Sequence, residues 1–189
     1  MPPSLDIIVT STRDQRASMA VANWFVEQAR QHGKFELRVV DLKEVNLPLL
    51  DEPNHPMLRK YQHEHTKAWS KLVAGADAFV FVIPEYNFGM PPALLNALDY
   101  LYHEWNYKPA GFVSYGGLSG GTRSVQMAKL VLTTLKVVPL PEAVNLPFFA
   151  KQLDADRKHF DPGDSQQKPL TTMLDELLRW ANALQTLRS

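Results

Sequence analysis

The first stretch of the sequence that is suited to chemistry runs from Thr10 to Ser18 and combines several hydroxyl side chains with Arg13 and Arg16. An apolar run precedes it and a segment of helical periodicity follows it, so we place it at the start of a helix. The free backbone N–H groups of such a start favour a phosphate, and an arginine adds charge-assisted hydrogen bonds. Taken alone, the stretch fits a phosphate site and a helix start with two solvated arginines equally well.

Two better-known phosphate-binding sequences are missing from this chain. It contains no G-x-x-x-x-G-K-[ST], which argues against a nucleoside-triphosphate hydrolase. It also contains no G-x-G-x-x-G after the first apolar run, which argues against a dinucleotide bound in the Rossmann manner. A phosphate-bearing ligand without those sequences suggests a mononucleotide.

Two further stretches carry groups that suit a flat ligand. Pro84 to Asn87 supplies an aromatic face together with hydrogen-bond donors and acceptors, and Tyr115 to Gly121 contains several glycines. Glycine has no side chain, so the backbone there can approach a ligand closely. Taken separately, the first stretch is better explained as a turn, and the second fits a flexible loop equally well.

Other side chains carry weaker signals. His63 and His65 are two residues apart, which on a helix directs them to different faces, and H-E-x-x-H is absent. We therefore predict a solvated helix there and no metal site. Trp105 and Tyr107 follow a predicted helix and fit a core, an interface or a wall beside a ligand.

Each of the three main stretches follows an apolar run that predicts a strand: Leu5 to Val9, Ala78 to Ile83 and Gly111 to Ser114. The run from Ala78 to Ile83 shows no polar alternation, which is typical of a central strand covered on both faces, as in a parallel sheet. Open parallel sheets bind ligands at the carboxyl ends of their strands. We therefore expect the three stretches to converge at that edge.

The remaining segments alternate between strand and helix patterns. One more strand is predicted from Phe35 to Leu42, and two short ones, at Val137-Val138 and Ala143-Val144, are separated by prolines. Helices are predicted from the loop at Ser18 to the stop at Gly33, from Thr66 to Ala74, from Pro91 onward, from a cap at Thr122 or Ser124 to Leu135, and from Pro169 to Leu187. This alternation predicts an α/β protein with a five-stranded, doubly wound parallel sheet.

Length and composition fit one globular domain spanning residues 1–189. The chain is 45% hydrophobic and has no cysteine, so nothing in it calls for an oxidising compartment. Its 20 basic and 20 acidic residues cancel, which argues against nucleic-acid and anionic-membrane partners. The first residues do not resemble a secretory signal, and no apolar run approaches the ~20 residues that span a bilayer, so we expect a cytoplasmic location.

The three stretches together resemble the NADPH-dependent FMN reductase family of flavodoxin-like flavoproteins. The resemblance rests on Thr10-Ser11-Thr12-Arg13 with Arg16, on Pro84-Glu85-Tyr86-Asn87 followed by Pro91, Leu94, Asn96, Ala97 and Asp99, and on Tyr115-Gly116-Gly117. It extends from Leu5 to about Leu135, and P-E-Y-N is its most diagnostic part. The sequence departs from the family at Thr10, where glycine is usual, and at Leu95, where lysine is frequent.

The resemblance implies a three-layer flavodoxin-like fold with strand order 2-1-3-4-5 and FMN as the bound cofactor. Its phosphate would be held by the first loop, and its isoalloxazine ring would lie against the other two. The implied cofactor-binding residues are Ser11, Thr12, Arg13, Arg16, Ser18, Pro84, Glu85, Tyr86, Asn87, Tyr115, Gly116 and Gly117. The resemblance also implies NADPH or NADH as hydride donor and a homodimer or homotetramer.

The implied activity is an NAD(P)H oxidoreductase that reduces quinones, azo compounds, flavin or similar small acceptors. A flavin accepts hydride at N5 while the protein supplies orientation and electrostatics, so we predict no side-chain nucleophile, no general-base triad and no catalytic residue. Donor and acceptor would use the same flavin face in turn, which predicts ping-pong kinetics. Two alternatives stay open: a flavodoxin-like electron carrier, and a flavin-fold binding or sensing protein that does not oxidise NAD(P)H.

Overall fold

A computed structural model of the chain describes residues 1–188 and contains one parallel five-stranded sheet in the order β2-β1-β3-β4-β5. The strands are β1 (Ser4–Val9), β2 (Glu36–Asp41), β3 (Ala78–Pro84), β4 (Pro109–Tyr115) and β5 (Val138–Leu146). The helices are α1 (Ser18–His32), α2 (Leu42–Val45), α3 (Glu64–Ala74), α4 (Pro92–Asp99), α5 (Thr122–Thr134) and α6 (Gln167–Leu184). The predicted flavodoxin-like α/β fold and its strand order are confirmed. No helix within residues 1–188 is both long enough and apolar enough to cross a membrane.

The central strand β3 is buried along its whole length, as its unbroken apolar sequence predicts. Strand side chains alternate between the two faces of a sheet, so β3 contributes side chains to two separate hydrophobic cores, one on each face. Val80 and Val82 pack with α1 and α6, whereas Phe79, Phe81 and Ile83 pack with α3, α4 and α5. This burial on both faces fixes the register of β3 and thereby the position of the loop that follows it.

The carboxyl-terminal strand differs from the prediction. Val138 and Ala143-Val144 belong to one strand, β5, that begins at Val138 and runs through both prolines. β5 lies at the edge of the sheet, and its pairing with β4 shifts register between Ala110 and Phe112. Edge strands and bulges tolerate proline because some of their N–H groups have no ladder partner to lose.

The prediction that His63 and His65 point to different faces was wrong. α3 begins at Glu64, two residues before the predicted start, and His63 precedes it with an extended backbone. The two imidazole rings consequently stack with their centroids 5.1 Å apart, and His65 lies 2.9 Å from a carboxylate oxygen of Asp51. Within residues 1–188 no group of three or more His, Asp or Glu side chains is arranged to hold a metal ion.

The aromatic pair after α4 belongs to the opposite edge of the sheet from the three loops. Trp105 is fully buried, with its ring centroid 5.9 Å from that of Trp69 and 5.0 Å from that of Phe79. It lies just before β4 begins, at the amino-terminal edge of the sheet. The core interpretation of Trp105 is therefore confirmed, and the wall interpretation is wrong.

Candidate functional site

The three loops meet at the carboxyl ends of β1, β3 and β4 around a pocket of about 290 Å³, here called the carboxyl-edge pocket. Most of the predicted site residues line it: Ser11, Arg13, Arg16, Pro84, Glu85, Tyr86, Tyr115, Gly116 and Gly117. It is also lined by Asp14, Gln15 and Ala17 of the first loop and by Phe149 and Arg157, which follow β5. Thr12, Ser18 and Asn87 lie outside this lining.

The two arginines of the first loop have different surroundings. The Arg16 guanidinium forms an ion pair with Asp41, at the end of β2, and donates to the Ser11 carbonyl at 2.9 Å. Its side chain is only 11% exposed. Arg13 is exposed, makes no ion pair within residues 1–188, and lies 5.9 Å from the centroid of the Tyr86 ring. Arg16 therefore holds the loop in shape, and Arg13 is the arginine that is available to a ligand.

The start of helix α1 supplies further free groups. Ala17 occupies the N-cap position and gives no side-chain hydrogen bond to the helix, and the first turn contains no acidic residue. The first N–H groups of a helix have no intrahelical acceptor and carry the positive end of its dipole. Ser18, the first residue of the helix, is fully buried, and its side chain lies beside the Tyr115 hydroxyl. These groups form a set of donors suited to an anion.

The second loop contacts the first through Tyr86. The Tyr86 hydroxyl and the Ser11 Oγ are 2.7 Å apart. Tyr86 and Gly89 exchange backbone hydrogen bonds of 3.0 and 2.9 Å and close a tight turn, in which Asn87 and Phe88 have φ values of 50° and 69°. Asn87 thus lies at the tip of this turn, away from the pocket lining.

Glu85 fastens the second loop to the third. One carboxylate oxygen accepts a hydrogen bond from Ser119 Oγ at 2.7 Å, and the other lies 2.7 Å from the Arg123 guanidinium. Burial raises the pKa of Glu85, but the hydrogen bonds from Ser119 and Arg123 and the arginine charge outweigh it and hold the pKa below its ordinary value. Arg123 in turn lies 3.7 Å above the Phe88 ring. The Glu85 side chain therefore holds the second loop against the third.

The glycines of the third loop meet two separate requirements. Gly120 and Gly121 have φ values of 59° and 84°, and a Cβ on Gly121 would lie 2.8 Å from the Tyr115 nitrogen. A Cβ on Gly117 would meet nothing within 4 Å, so this glycine faces open space. The prediction that Thr122 or Ser124 caps α5 was wrong, because Gly121 holds the N-cap position in a conformation that favours glycine.

Only some backbone N–H groups of these loops are free. Those of Glu85, Tyr86 and Gly116 donate within the protein, to Tyr115, Gly89 and Leu146 respectively. Those of Asn87 and Gly117 make no hydrogen bond within residues 1–188. Because Gly117 also lines the pocket, its N–H is a free backbone donor that the third loop offers to a ligand.

The two departures from the family sequence have structural explanations. Thr10 is buried, and its hydroxyl donates to the Val82 carbonyl at 2.9 Å, as its N–H does at 3.2 Å. It thus joins the end of β1 to β3. Leu95 is partly buried and packs against the core beneath α4, so it contributes apolar contact where the family often has a charge.

Two pocket residues were missed from the sequence. Phe149 packs edge-on against Tyr115 at a centroid distance of 4.8 Å, and burial raises the pKa of the Tyr115 hydroxyl. Arg157 belongs to a turn that follows β5. Neither residue lies within a recognisable motif, because both are brought to the pocket by the path of the chain after β5. Gln15 and Ala17, by contrast, lie inside the first predicted stretch.

Comparison with known proteins identifies a family. Residues 4–151 match the model of the NADPH-dependent FMN reductase family. An NAD(P)H-dependent FMN reductase of Schizosaccharomyces pombe is 43% identical over 148 residues, covering 77% of this chain and 74% of that relative. A quinone reductase of Pseudomonas putida is 29% identical over 148 residues, covering 74% of this chain and 76% of that relative.

Solved structures support the same fold. The flavoenzyme NAD(P)H:(acceptor) oxidoreductase of Paracoccus denitrificans superposes with a TM-score of 0.71 at 21% sequence identity, covering 96% of this chain and 98% of that one. At that level of identity the likeness concerns the fold alone.

Proposed function

This chain belongs to the NADPH-dependent FMN reductase family, and we propose that it binds FMN in the carboxyl-edge pocket and uses it to reduce small acceptors. The chain is an NAD(P)H-dependent oxidoreductase of the flavodoxin-like class with FMN as its cofactor. The acceptors we propose are quinones, azo compounds, free flavin and similar small molecules. The whole chain, residues 1–189, would act as a single FMN-binding domain.

The observation that carries this proposal is the set of unpaired donors around the carboxyl-edge pocket. Arg13 and the uncapped start of α1 suit a phosphate at one end of the pocket. Gly116 and Gly117, with the free N–H of Gly117, suit the edge of a flat ring at the other. These groups support the binding of a flavin mononucleotide in this pocket.

Individual residues then have distinct roles. Arg13 and the first N–H groups of α1 bind the phosphate, and Arg16 holds the first loop through Asp41 and Ser11. Glu85 fixes the second loop against the third, so that the Gly117 N–H keeps a single orientation towards the pocket. When bound, FMN supplies the hydride-accepting N5 atom and the capacity to pass electrons onward.

The kinetics follow from a single pocket that serves both substrates. We expect donor and acceptor to bind in turn, which gives parallel lines in double-reciprocal plots for NADPH and a quinone. Intersecting lines would show that both substrates bind together and would contradict this part of the proposal.

An anaerobic titration tests the function directly. The purified protein is loaded with FMN, and its absorption spectrum is recorded before and after NADPH is added in the absence of oxygen. Rapid bleaching of the flavin absorbance is the expected result. A yellow protein that NADPH does not bleach would indicate an electron carrier, and a protein that does not take up FMN would indicate a binding or sensing role; either result would contradict the proposal.

We also propose that the chain forms a homodimer or homotetramer in the cytoplasm. Exposed apolar side chains beside the carboxyl-edge pocket support the assembly: Phe88 is 67% exposed and Leu118 is 81% exposed. On α5, Leu130 is 74% exposed. Light scattering of the FMN-loaded protein should give a multiple of the 21.4 kDa chain mass, and a monomeric mass would contradict this proposal.

A further inference from the structure

A second groove adjoins the carboxyl-edge pocket and is here called the α1 groove. It encloses about 650 Å³ and shares Gln15, Arg16 and Arg157 with the carboxyl-edge pocket. One wall is formed by the first turns of α1, including Met19 and Asn23, and the other by residues 155–158. A ligand with one end in the carboxyl-edge pocket can therefore place its other end in the α1 groove.

The turn that forms the outer wall is anchored. The Asp154 N–H donates to the His159 carbonyl, and the Lys158 N–H donates to the Asp154 carboxylate at 2.7 Å. Next to the turn, Phe160 is buried and packs edge-on against Trp24 at 5.8 Å. Arg157, at the tip, has a φ of 57°, a conformation that is unfavourable for a residue with a side chain. The turn thus presents Arg157 to the pocket at a conformational cost.

The unpaired cations of the α1 groove suit a phosphate group. Arg157 and Lys158 take part in no ion pair within residues 1–188. Arg16 is paired with Asp41, so its charge is already balanced. Asp156 is the one carboxylate among the described residues that line the groove.

We propose that residues 154–158 recognise the 2′ position of the adenosine ribose of the hydride donor. Arg157 and Lys158 bind the 2′-phosphate of NADPH, and Asp156 accepts a hydrogen bond from the 2′-hydroxyl of NADH. This is the chemistry by which nucleotide sites distinguish the two donors: cations for the phosphate and a carboxylate for the hydroxyl. The inference rests on the proposed function, since it needs the nicotinamide end of the donor to reach the carboxyl-edge pocket.

Two variants of the same turn test the inference: one removes its positive charges and the other removes its negative charge. In the FMN-loaded protein, the double variant Arg157→Ala/Lys158→Ala should lower the ratio of kcat/KM for NADPH to kcat/KM for NADH by about 10- to 100-fold, the factor expected for lost charge-assisted hydrogen bonds. Asp156→Asn should raise the same ratio. The control Arg30→Ala/Lys168→Ala removes the same charge from exposed helical positions and should leave the ratio as in the wild type.

A binding measurement separates this inference from the proposed function. Titration calorimetry should show that 2′,5′-ADP binds the FMN-loaded wild-type protein more tightly than 5′-ADP, and that the double variant loses this difference. Wild-type protein that oxidises neither nucleotide refutes the proposed function, yet the calorimetry still decides the 2′-phosphate site. The inference is overturned if the double variant keeps the donor ratio, or if it loses FMN affinity while 2′,5′-ADP binds as before, which would assign Arg157 to the flavin phosphate.

Discussion

The two edges of the sheet both carry polar pockets, and they differ in how their polar groups are paired. The pocket at the amino-terminal edge is the larger, at about 900 Å³ against about 290 Å³ for the carboxyl-edge pocket. It is lined by Tyr61, Ser70, Glu104 and Lys108 among others, and it lies where β3 and β4 begin.

The buried polar groups of the amino-terminal edge satisfy one another. Glu104 accepts hydrogen bonds from Tyr61 at 3.1 Å and from Ser70 at 2.7 Å. Lys108 Nζ donates to the Val73 carbonyl at 2.8 Å and to the next carbonyl of α3 at 3.1 Å. At the carboxyl edge, by contrast, the Arg13 guanidinium makes no ion pair and the Gly117 N–H makes no hydrogen bond within residues 1–188. Unpaired donors, and not volume, therefore distinguish a binding site from a structural network.

The largest effect that we expect comes from breaking the network at the amino-terminal edge. Glu104→Leu leaves the Tyr61 and Ser70 hydroxyls without their acceptor and should lower the free energy of unfolding by about 2–4 kcal/mol. Chemical denaturation of the variant measures this loss. Glu104→Gln keeps an acceptor oxygen and should cost less. FMN affinity should stay at the wild-type value in both variants, and a parallel loss of FMN binding would remove the distinction between the edges.

The second prediction concerns pH at the same edge. Burial and the nearby Arg188 charge lower the pKa of Lys108 to about 8. Between that value and its ordinary pKa, the unfolded chain binds more protons at this lysine than the folded chain, so stability rises with pH. Between about pH 8 and pH 10, the free energy of unfolding of the wild type should rise relative to that of Lys108→Met. The rise should be at most about 1.4 kcal/mol for each pH unit. Denaturation series of both proteins would show this difference, and parallel pH profiles would contradict it.

The two arginines of the first loop allow a paired and an unpaired group to be compared within the carboxyl edge. Arg13→Ala should weaken FMN binding by roughly 1.5–3 kcal/mol, because a charge-assisted hydrogen bond is lost. It should change the unfolding free energy of the FMN-free protein by no more than about 0.5 kcal/mol, as expected at an exposed position. Fluorescence titration with FMN and thermal unfolding check the two halves of this prediction.

Arg16→Ala should behave differently from Arg13→Ala. It should lower the unfolding free energy by about 1–3 kcal/mol even without FMN, because Asp41 and the Ser11 carbonyl lose their partner. Asp41→Asn is the matched variant and should reproduce much of this loss. If Arg13→Ala and Arg16→Ala gave the same pattern, the division of roles between the two arginines would be wrong.

The smallest effect is expected at the contact between the second and third loops. Glu85→Gln keeps an acceptor for Ser119 but removes the charge that pairs with Arg123, and it should cost about 1 kcal/mol. Since the pKa of Glu85 is lowered in the fold, its contribution is present above the ordinary glutamate pKa and is lost as pH falls through the lowered value. Hydrogen exchange at residues 116–121 should become faster in the variant, and unchanged exchange rates would show that Glu85 does not hold the loop.

Much of the fold could be predicted because local pattern and tertiary environment agree. The apolar run that became β3 is buried on both faces, and the glycine at position 33 ends α1 with a φ of 72°. The sequence predictions failed where contacts with other segments of the chain determine the local structure. β5 continues through its prolines because it is an edge strand with a register shift, and no local signal in Pro139 or Pro141 reveals which strand will be at the edge.

For the candidate site, the sequence by itself determined the three loops, their order and the family to which they belong, since each loop carries its own motif directly after a strand. It could not tell Arg13 from Arg16, because the difference depends on Asp41, which approaches from the end of β2. It could not bring Arg157 to the pocket either, because that requires the path of the chain after β5. Residue types are local and determine which chemistry is available, whereas pairing and burial depend on contacts between distant segments, which only the tertiary structure decides.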